Sequence, residues 1–301
     1  MEKVINQRVP VPDNTVTLYM KREDLIHPLV SGNKFRKLKY NLADFQETGY
    51  DTLVTFGGAF SNHIAATAYA CKEKGINSVG VIRGEELWKA IEVNPTLKFA
   101  QQCGMKFEFV TREQYRQKEE PTFRNSLKSK YGHCFILPEG GTNALAVKGC
   151  QEILTHEDAQ FDVICSAVGT GGTIAGISNA ALPHQKVLGF PALKGDFLQN
   201  EIRKFANREN WNLITDYHFG GYGKVTQGLI DFMNLFYQQT QIPLDPVYTG
   251  KMVFGVFDLI RQGYFPPQTK ILMIHTGGLQ GIKGMNQYLD QKKMNKIIYH
   301  E

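Results

Sequence analysis

Short, β-branched apolar runs at 52–55, 78–82, 106–110, 134–137, 162–168, 186–190 and 271–275 predict strands. Elsewhere the apolar positions recur with a helical period, at 35–45, 64–74, 95–103, 112–130, 144–155, 174–182, 229–239 and 252–262. Alternation of the two patterns, with glycine at many junctions, predicts βαβ units and therefore an α/β protein built on parallel sheet. In such sheets ligands sit at the carboxyl ends of strands, in the loops that open helices. No internal repeat, low-complexity stretch or linker interrupts the chain. At 301 residues it is long enough for two domains. Without a linker, one of these is expected to be inserted within the other.

Composition narrows the function classes. With 42% hydrophobic and 21% charged residues the chain is ordinary globular material. Its 34 Lys+Arg exceed 29 Asp+Glu by only +5, spread along the chain, which argues against a nucleic-acid binder. A few of these charges suffice for a small anion. Cys71, Cys103, Cys134, Cys150 and Cys165 form no CxxC pair, so neither a disulfide framework nor a cysteine metal site is expected. The eight histidines show no metal-ligand spacing. The first residues, Met1 to Arg8, carry no apolar signal core, and no apolar run reaches bilayer length. These features predict a cytoplasmic protein with no membrane partner.

The chemistry concentrates in loops. GxxxxGK[ST], HExxH and GxSxG are all absent. Gly169-Thr170-Gly171-Gly172-Thr173 follows a strand and opens a helix, although Ile174 breaks a dinucleotide fingerprint. It reads either as a plain tight turn or as a phosphate cradle, where backbone N–H groups and the helix dipole converge. Ser31-Gly32-Asn33-Lys34-Phe35-Arg36 places Lys34 at a helix start, close to Arg36, Lys37 and Lys39. The positive end of the dipole and the neighbouring cations favour the neutral amine, the form that makes Schiff bases; the alternative is a solvated lysine. Phe56-Gly57-Gly58-Ala59-Phe60-Ser61-Asn62-His63 has the same strand–loop–helix position. Ser61 or Asn62 is either an N-cap or part of a carboxylate-binding loop.

From Lys21 to about Gly281 the chain resembles the family of 1-aminocyclopropane-1-carboxylate deaminase and D-cysteine desulfhydrase. These are fold-type II, tryptophan synthase β-like, pyridoxal-phosphate enzymes. The motifs in the family's order are KREDL (21–25), SGNKFRKL (31–38), GGAFSNH (57–63), PEGGTNAL (138–145), GTGGT (169–173), GYG (221–223), DPVYTGK (245–251) and HTGG (275–278). The resemblance implies two αβα domains with the cofactor between them. The larger would comprise 1–45 plus 158–301, and the smaller, inserted one 46–157. It also implies a homodimer acting on a small amino acid.

By the same resemblance, Lys34 holds pyridoxal phosphate and moves protons at the substrate. Asn62 bonds the pyridoxal hydroxyl. Ser61, Asn62, His63 and Tyr222 line the substrate side, and Gly169, Thr170, Gly171, Gly172 and Thr173 cradle the phosphate. Tyr248 stacks on the pyridine ring, and Tyr222 and Tyr248 share the catalytic side with Lys34 and Ser61. Thr249 and Thr276 lie at the pyridine nitrogen. Deaminases of the family resemble Glu at the first and HLGG at the second, whereas the desulfhydrase pattern has threonines. A neutral hydroxyl makes a weaker electron sink, which suits β-elimination of a good leaving group. After GYG, Lys224-Val225-Thr226-Gln227-Gly228 departs from the family's Pro-Asn-acidic-Gly in a loop bordering the substrate; Lys224 reads either as a contact to a second carboxylate or, by preference, as solvated surface. The expected activity is release of pyruvate, hydrogen sulfide and ammonia from D-cysteine. Ring opening of the cyclopropane amino acid, or a catalytically silent cofactor carrier, are the alternatives.

Overall fold

The computed structural model describes residues 4–11 and 15–299, so Met1 to Lys3 of the N-terminal reading lie outside the described residues. Strands β1 (Asn6–Val9) and β2 (Thr17–Lys21) lead into helix α1 (Asn33–Thr48). Then follow β3 (Thr52–Gly57), α2 (Asn62–Glu73), β4 (Asn77–Arg83), α3 (Pro95–Gln102) and β5 (Lys106–Val110). Next come α4 (Arg112–Arg116), α5 (Pro121–Tyr131), β6 (Cys134–Leu137) and α6 (Ala144–Gln151). The chain continues through β7 (Val163–Val168), α7 (Gly172–Ala180), β8 (Lys186–Pro191), α8 (Phe197–Arg203) and β9 (Trp211–Leu213). It ends with α9 (Gln227–Thr240), α10 (Thr249–Arg261), β10 (Lys270–Ile274) and α11 (Gly281–Gln291).

Two sheets form, a six-stranded one in the order β1-β2-β10-β7-β8-β9 and a four-stranded one in the order β5-β4-β3-β6. Every pairing is parallel except β1 with β2. Helices cover both faces of each sheet, which is why the inner strands read as unbroken apolar runs. In the larger sheet Cys165 and Met273 pack against Met233, Met252 and Val256 on one face. Ile164 and Ile274 pack against Val147, Ile174 and Ile177 on the other. In the smaller sheet Val54 and Phe56 face Tyr115 and Leu127, whereas Leu53 faces Leu38, Leu42 and Ala66. Neighbouring residues of a strand thus serve opposite cores, as the pleat requires.

Three expectations change. The helix read over 112–130 is two helices, because Pro121 starts a second one and cannot continue the first. The boundary at 45/46 cuts through α1, whose Leu38, Leu42 and Phe45 are buried with Leu53 and Leu137 of the smaller sheet. β1, β2, β9, α8 and α11 are further elements that the apolar pattern left unmarked.

The KREDL segment is a charged clamp rather than chemistry. Lys21 pairs with Asp158 at 2.6 Å and Arg22 with Asp24 at 2.7 Å. Arg36 grips Glu23 through Nε at 2.9 Å and Nη2 at 2.8 Å. The Gly32 N–H donates to the Glu23 carbonyl at 3.0 Å, so this segment fixes the first turn of α1. All five cysteines are free thiols, and four of them are buried. Among the described residues no helix is long and apolar enough to cross a membrane, and no cluster of His, Cys, Asp or Glu could hold a metal ion.

Candidate active site

Lys34 occupies the second position of α1, facing loops from the carboxyl ends of β7 and β10. Its placement depends on a contact that only glycines permit. Gly32 has φ 60°, and a Cβ there would lie 2.1 Å from the Thr276 carbonyl oxygen. Gly277 has φ 75°, and its Cβ would lie 2.4 Å from Ser31 Oγ. The SGNK and HTGG turns therefore meet backbone to backbone. His275 organises the second turn: Nδ1 accepts from the Gly277 N–H at 3.2 Å, while Nε2 donates to the Pro243 carbonyl at 2.6 Å.

Lys34 Nζ donates to Asn33 Oδ1 at 2.9 Å, and Asn33 Nδ2 donates to Thr173 Oγ1 at 2.8 Å. The amine is thereby linked to the GTGGT loop. Burial, reinforced by the Lys37 ammonium, lowers the Lys34 pKa to about 7. Of the nearby cations named in the sequence, only Lys37 acts this way. Arg36 is held by Glu23, and Lys39 by Glu152 at 2.7 Å.

Lys37 Nζ donates to the Gly140 carbonyl at 3.0 Å, to Thr142 Oγ1 at 2.9 Å and to Thr170 Oγ1 at 3.3 Å. A buried cation and two hydroxyls thus stand beside Gly171 and Gly172, where α7 begins. Gly171 has φ 85°, and a Cβ on Gly172 would lie 3.4 Å from Lys37 Nζ. This cradle suits a phosphate: N–H groups at a helix start, hydroxyls, an ammonium and close backbone approach. Lys37 and Thr142 were missed as cradle residues; the signal was the helical spacing of Lys37 from Lys34, which puts both on one face.

Tyr248 closes the other side. A Cβ on Gly169 would lie 3.1 Å from Tyr248 Cε1, so the ring rests on the cradle loop. Tyr222 meets Tyr248 edge to face with centroids 6.0 Å apart. Burial, chiefly, raises the Tyr248 pKa. Asp245 Oδ1 accepts from the N–H groups of Val247, Tyr248 and Thr249 at 3.1, 2.6 and 3.3 Å, which sets the start of α10. Burial nonetheless pushes its pKa up to about 7. Thr249 and Thr276 face each other with hydroxyls 3.3 Å apart, both buried. Lys251 Nζ donates to the carbonyls of His218 and Gly221 at 2.9 Å each, anchoring the loop that carries Tyr222.

The GGAFSN loop comes from β3 of the smaller sheet. Ser61 is the N-cap of α2, its Oγ accepting from the Ile64 N–H at 3.3 Å, which leaves its O–H free to donate. Asn62 reaches the larger sheet, where Gln280 Nε2 donates to its Oδ1 at 2.6 Å. His63 is turned away into the smaller sheet. It is 2% exposed, with Nε2 at 2.7 Å from Thr55 Oγ1, which itself donates to the Leu137 carbonyl. Burial and then the cations Lys34 and Lys37 hold its pKa well below the usual range, so it is neutral. The fold thus brings together Lys34, Thr170, Thr173, Tyr248, Tyr222, Thr249 and Thr276, with Ser61 and Asn62 on the facing loop, and His63 behind it. Lys224 is exposed. The neighbouring departure is structural: Thr226 caps α9, and Gln227 Oε1 accepts from the Asn295 N–H at 3.1 Å.

A buried amine of lowered pKa, an anion cradle, a tyrosine ring resting on the cradle loop and a buried hydroxyl pair suit a phosphorylated aromatic aldehyde. Comparison with known proteins agrees. Residues 8–277 match the family model described as "Pyridoxal-phosphate dependent enzyme", and the chain belongs to that family. It is 32% identical over 288 residues to a protein of Pyrococcus horikoshii named a putative 1-aminocyclopropane-1-carboxylate deaminase, covering 88% of this chain and 85% of that one. It is 31% identical over 306 residues to the mitochondrial bifunctional D-cysteine desulfhydrase/1-aminocyclopropane-1-carboxylate deaminase of Arabidopsis thaliana, covering 91% and 75%. Among solved structures, an ACC deaminase homologue superposes with a TM-score of 0.82 at 28% identity, covering 97% of this chain and 94% of that one. The protein is therefore a pyridoxal-phosphate-dependent enzyme.

Proposed function

We propose that this enzyme is a D-cysteine desulfhydrase-like lyase. It would release hydrogen sulfide from the substrate, and water would convert the remaining enamine to pyruvate and ammonia. The observation that carries this reading is the Thr249–Thr276 hydroxyl pair, buried at 3.3 Å, where a carboxylate would favour ring opening. Bound pyridoxal phosphate supplies the electron sink that makes the substrate α-hydrogen acidic.

The chain's own residues supply the rest. Lys37, Thr170 and the amides at 171–173 bind the phosphate. Tyr248 would support the pyridine ring, and Asn62 on the other loop would bond the pyridoxal hydroxyl. Lys34 would hold the cofactor, and its amine would move the proton at the substrate α-carbon. Its pKa of about 7 keeps much of it neutral near neutral pH, as a base poised for proton transfer needs. Ser61 Oγ–H and the first amides of α2 receive the α-carboxylate, and Tyr222 faces the departing group. His63 supports this loop from behind, through Thr55, rather than touching substrate.

The same reading carries a cytoplasmic homodimer and a smaller unit formed around β3–β6. Purified protein and Lys34→Ala, each dialysed against pyridoxal phosphate, test the cofactor reading by visible spectrum and borohydride reduction. A borohydride-sensitive band is expected in the wild type only. D-Cysteine, L-cysteine, D-serine and the cyclopropane amino acid are then assayed for 2-oxo acid, with pyruvate from D-cysteine fastest. Faster release of 2-oxobutanoate from the cyclopropane amino acid would overturn the desulfhydrase reading in favour of the deaminase one. A bound cofactor with no turnover of any of the four would leave a silent carrier.

A further inference from the structure

We propose that Arg83 forms a subsite for a second carboxylate on the substrate side chain, so that the site binds acidic amino acids in preference to neutral ones of the same shape. The inference rests on the α-carboxylate loop of the site proposed above and goes beyond the lyase reading, since it concerns binding affinity for a group that D-cysteine lacks.

Arg83 ends β4, whose Ile82 lies opposite Gly57 of β3. The two strands are parallel, so their carboxyl ends share one edge. From that edge β3 sends out the GGAFSN loop and β4 presents Arg83. The guanidinium Nη2 lies 3.7 Å from where a Cβ on Gly58 would stand. It is poised over the loop assigned to the α-carboxylate, with no side chain beneath it. Its other neighbour is the ring of Tyr115, with Cζ 5.7 Å from the centroid. A guanidinium held over an aromatic face is restrained without using its N–H groups.

Its charge lies close enough to act on both the Tyr115 and Tyr222 hydroxyls, which ties it to the substrate side of the cleft. Among the described residues no carboxylate pairs with it. Glu139, the nearby acid, is taken by Tyr115 Oη at 2.8 Å and Lys118 Nζ at 3.3 Å. An unpaired guanidinium held over a ring, beside the loop assigned to the α-carboxylate, offers a planar fork of donors to a further carboxylate. The α-carboxylate does not need it, since Ser61 and the amides of α2 already serve that group. The group left for Arg83 is an anion at the far end of the side chain.

The test uses the cofactor-loaded enzyme. Both enantiomers of aspartate and of asparagine, its neutral isostere, are titrated by calorimetry and by the visible spectrum. Aspartate of at least one hand is expected to bind about tenfold or more tightly than asparagine of the same hand, the scale of one charge-assisted pair. Arg83→Leu is expected to bring that ratio to about threefold or less, and Arg83→Lys to retain part of it. Arg83 is exposed, so neither change threatens the fold. Equal affinities in the wild type would overturn the proposal. So would an equal loss for both ligands in Arg83→Leu, which would assign Arg83 to the α-carboxylate instead. Release of 2-oxo acid from D-cysteine, assayed on the same preparations, reports separately on the lyase reading. Its failure with the aspartate preference intact sinks that reading alone.

Discussion

Replacing Glu23 by leucine should destabilise the protein far more than its distance from the chemistry suggests. Glu23 is fully buried and the Arg36 side chain is 11% exposed, so their paired bonds at 2.8 and 2.9 Å are made in a dry environment. Without Glu23, the guanidinium keeps only Glu152 at 3.6 Å. Removing one partner of a buried pair strands the other charge, at a cost of about 3–5 kcal/mol. With a urea slope of about 3 kcal/mol per molar, the midpoint falls by about 1–1.7 M. Arg36→Leu should cost at least as much, because the stranded carboxylate has no exposed face at all. The double variant Glu23→Leu, Arg36→Leu removes both charges and should come within about 2 kcal/mol of the wild type. The assay is a urea double-mutant cycle, followed by fluorescence. Single variants costing less than about 1 kcal/mol, or a double variant as costly as the sum of the singles, would refute the clamp argument.

Lys34 has a pKa lowered to about 7, so it loses its proton and gains nucleophilicity as pH rises through that value. Borohydride-trapped capture of pyridoxal phosphate by the cofactor-free protein should therefore show a midpoint near 7. Lys37→Met removes the neighbouring like charge and should move that midpoint upward; an unchanged midpoint would refute the coupling. Thr249→Glu places a carboxylate against Thr276 in a buried site. Cofactor retention should survive, while the ratio of 2-oxobutanoate to pyruvate formed from the cyclopropane amino acid and D-cysteine should rise. Constant product ratios across both substrates would remove the hydroxyl pair from the selectivity argument.

Much of the fold is legible in the sequence, and for a physical reason. Buried parallel strands must be apolar along their whole length, so β3, β4, β7, β8 and β10 announce themselves. The elements that were missed obey weaker rules. β1 and β9 are edge strands with mixed burial, and α11 is capped by no Ser, Thr, Asp or Asn. The amine, the cradle and the hydroxyl pair lie in short motifs and were readable there. The cradle roles of Lys37 and Thr142 rest on contacts across 103 and 105 residues of chain, of which only the helical spacing of Lys37 from Lys34 is visible locally; Asp245 acts locally, on amides two to four residues on, within a motif that was read for its tyrosine and threonine. His63 shows the converse. Its motif placed it on the substrate loop, but the turn of α2 points it at Thr55, where a neutral imidazole can be satisfied.

The glycine contact between the SGNK and HTGG turns has a mechanical meaning. α1 is rooted in the core of the smaller sheet through Leu38, Leu42 and Phe45, yet its first turn rests on a loop of the larger sheet. The reactive amine is thus surveyed from two frames of reference at once. The larger sheet holds α1 further along as well: α6, whose Val147 and Cys150 lie in its core, meets the helix where a Cβ on Gly149 would lie 2.0 Å from the Arg36 carbonyl oxygen. Any displacement of one sheet against the other is thereby opposed at the amine itself, and the Gln280–Asn62 bond at 2.6 Å ties the facing loop to the same frame.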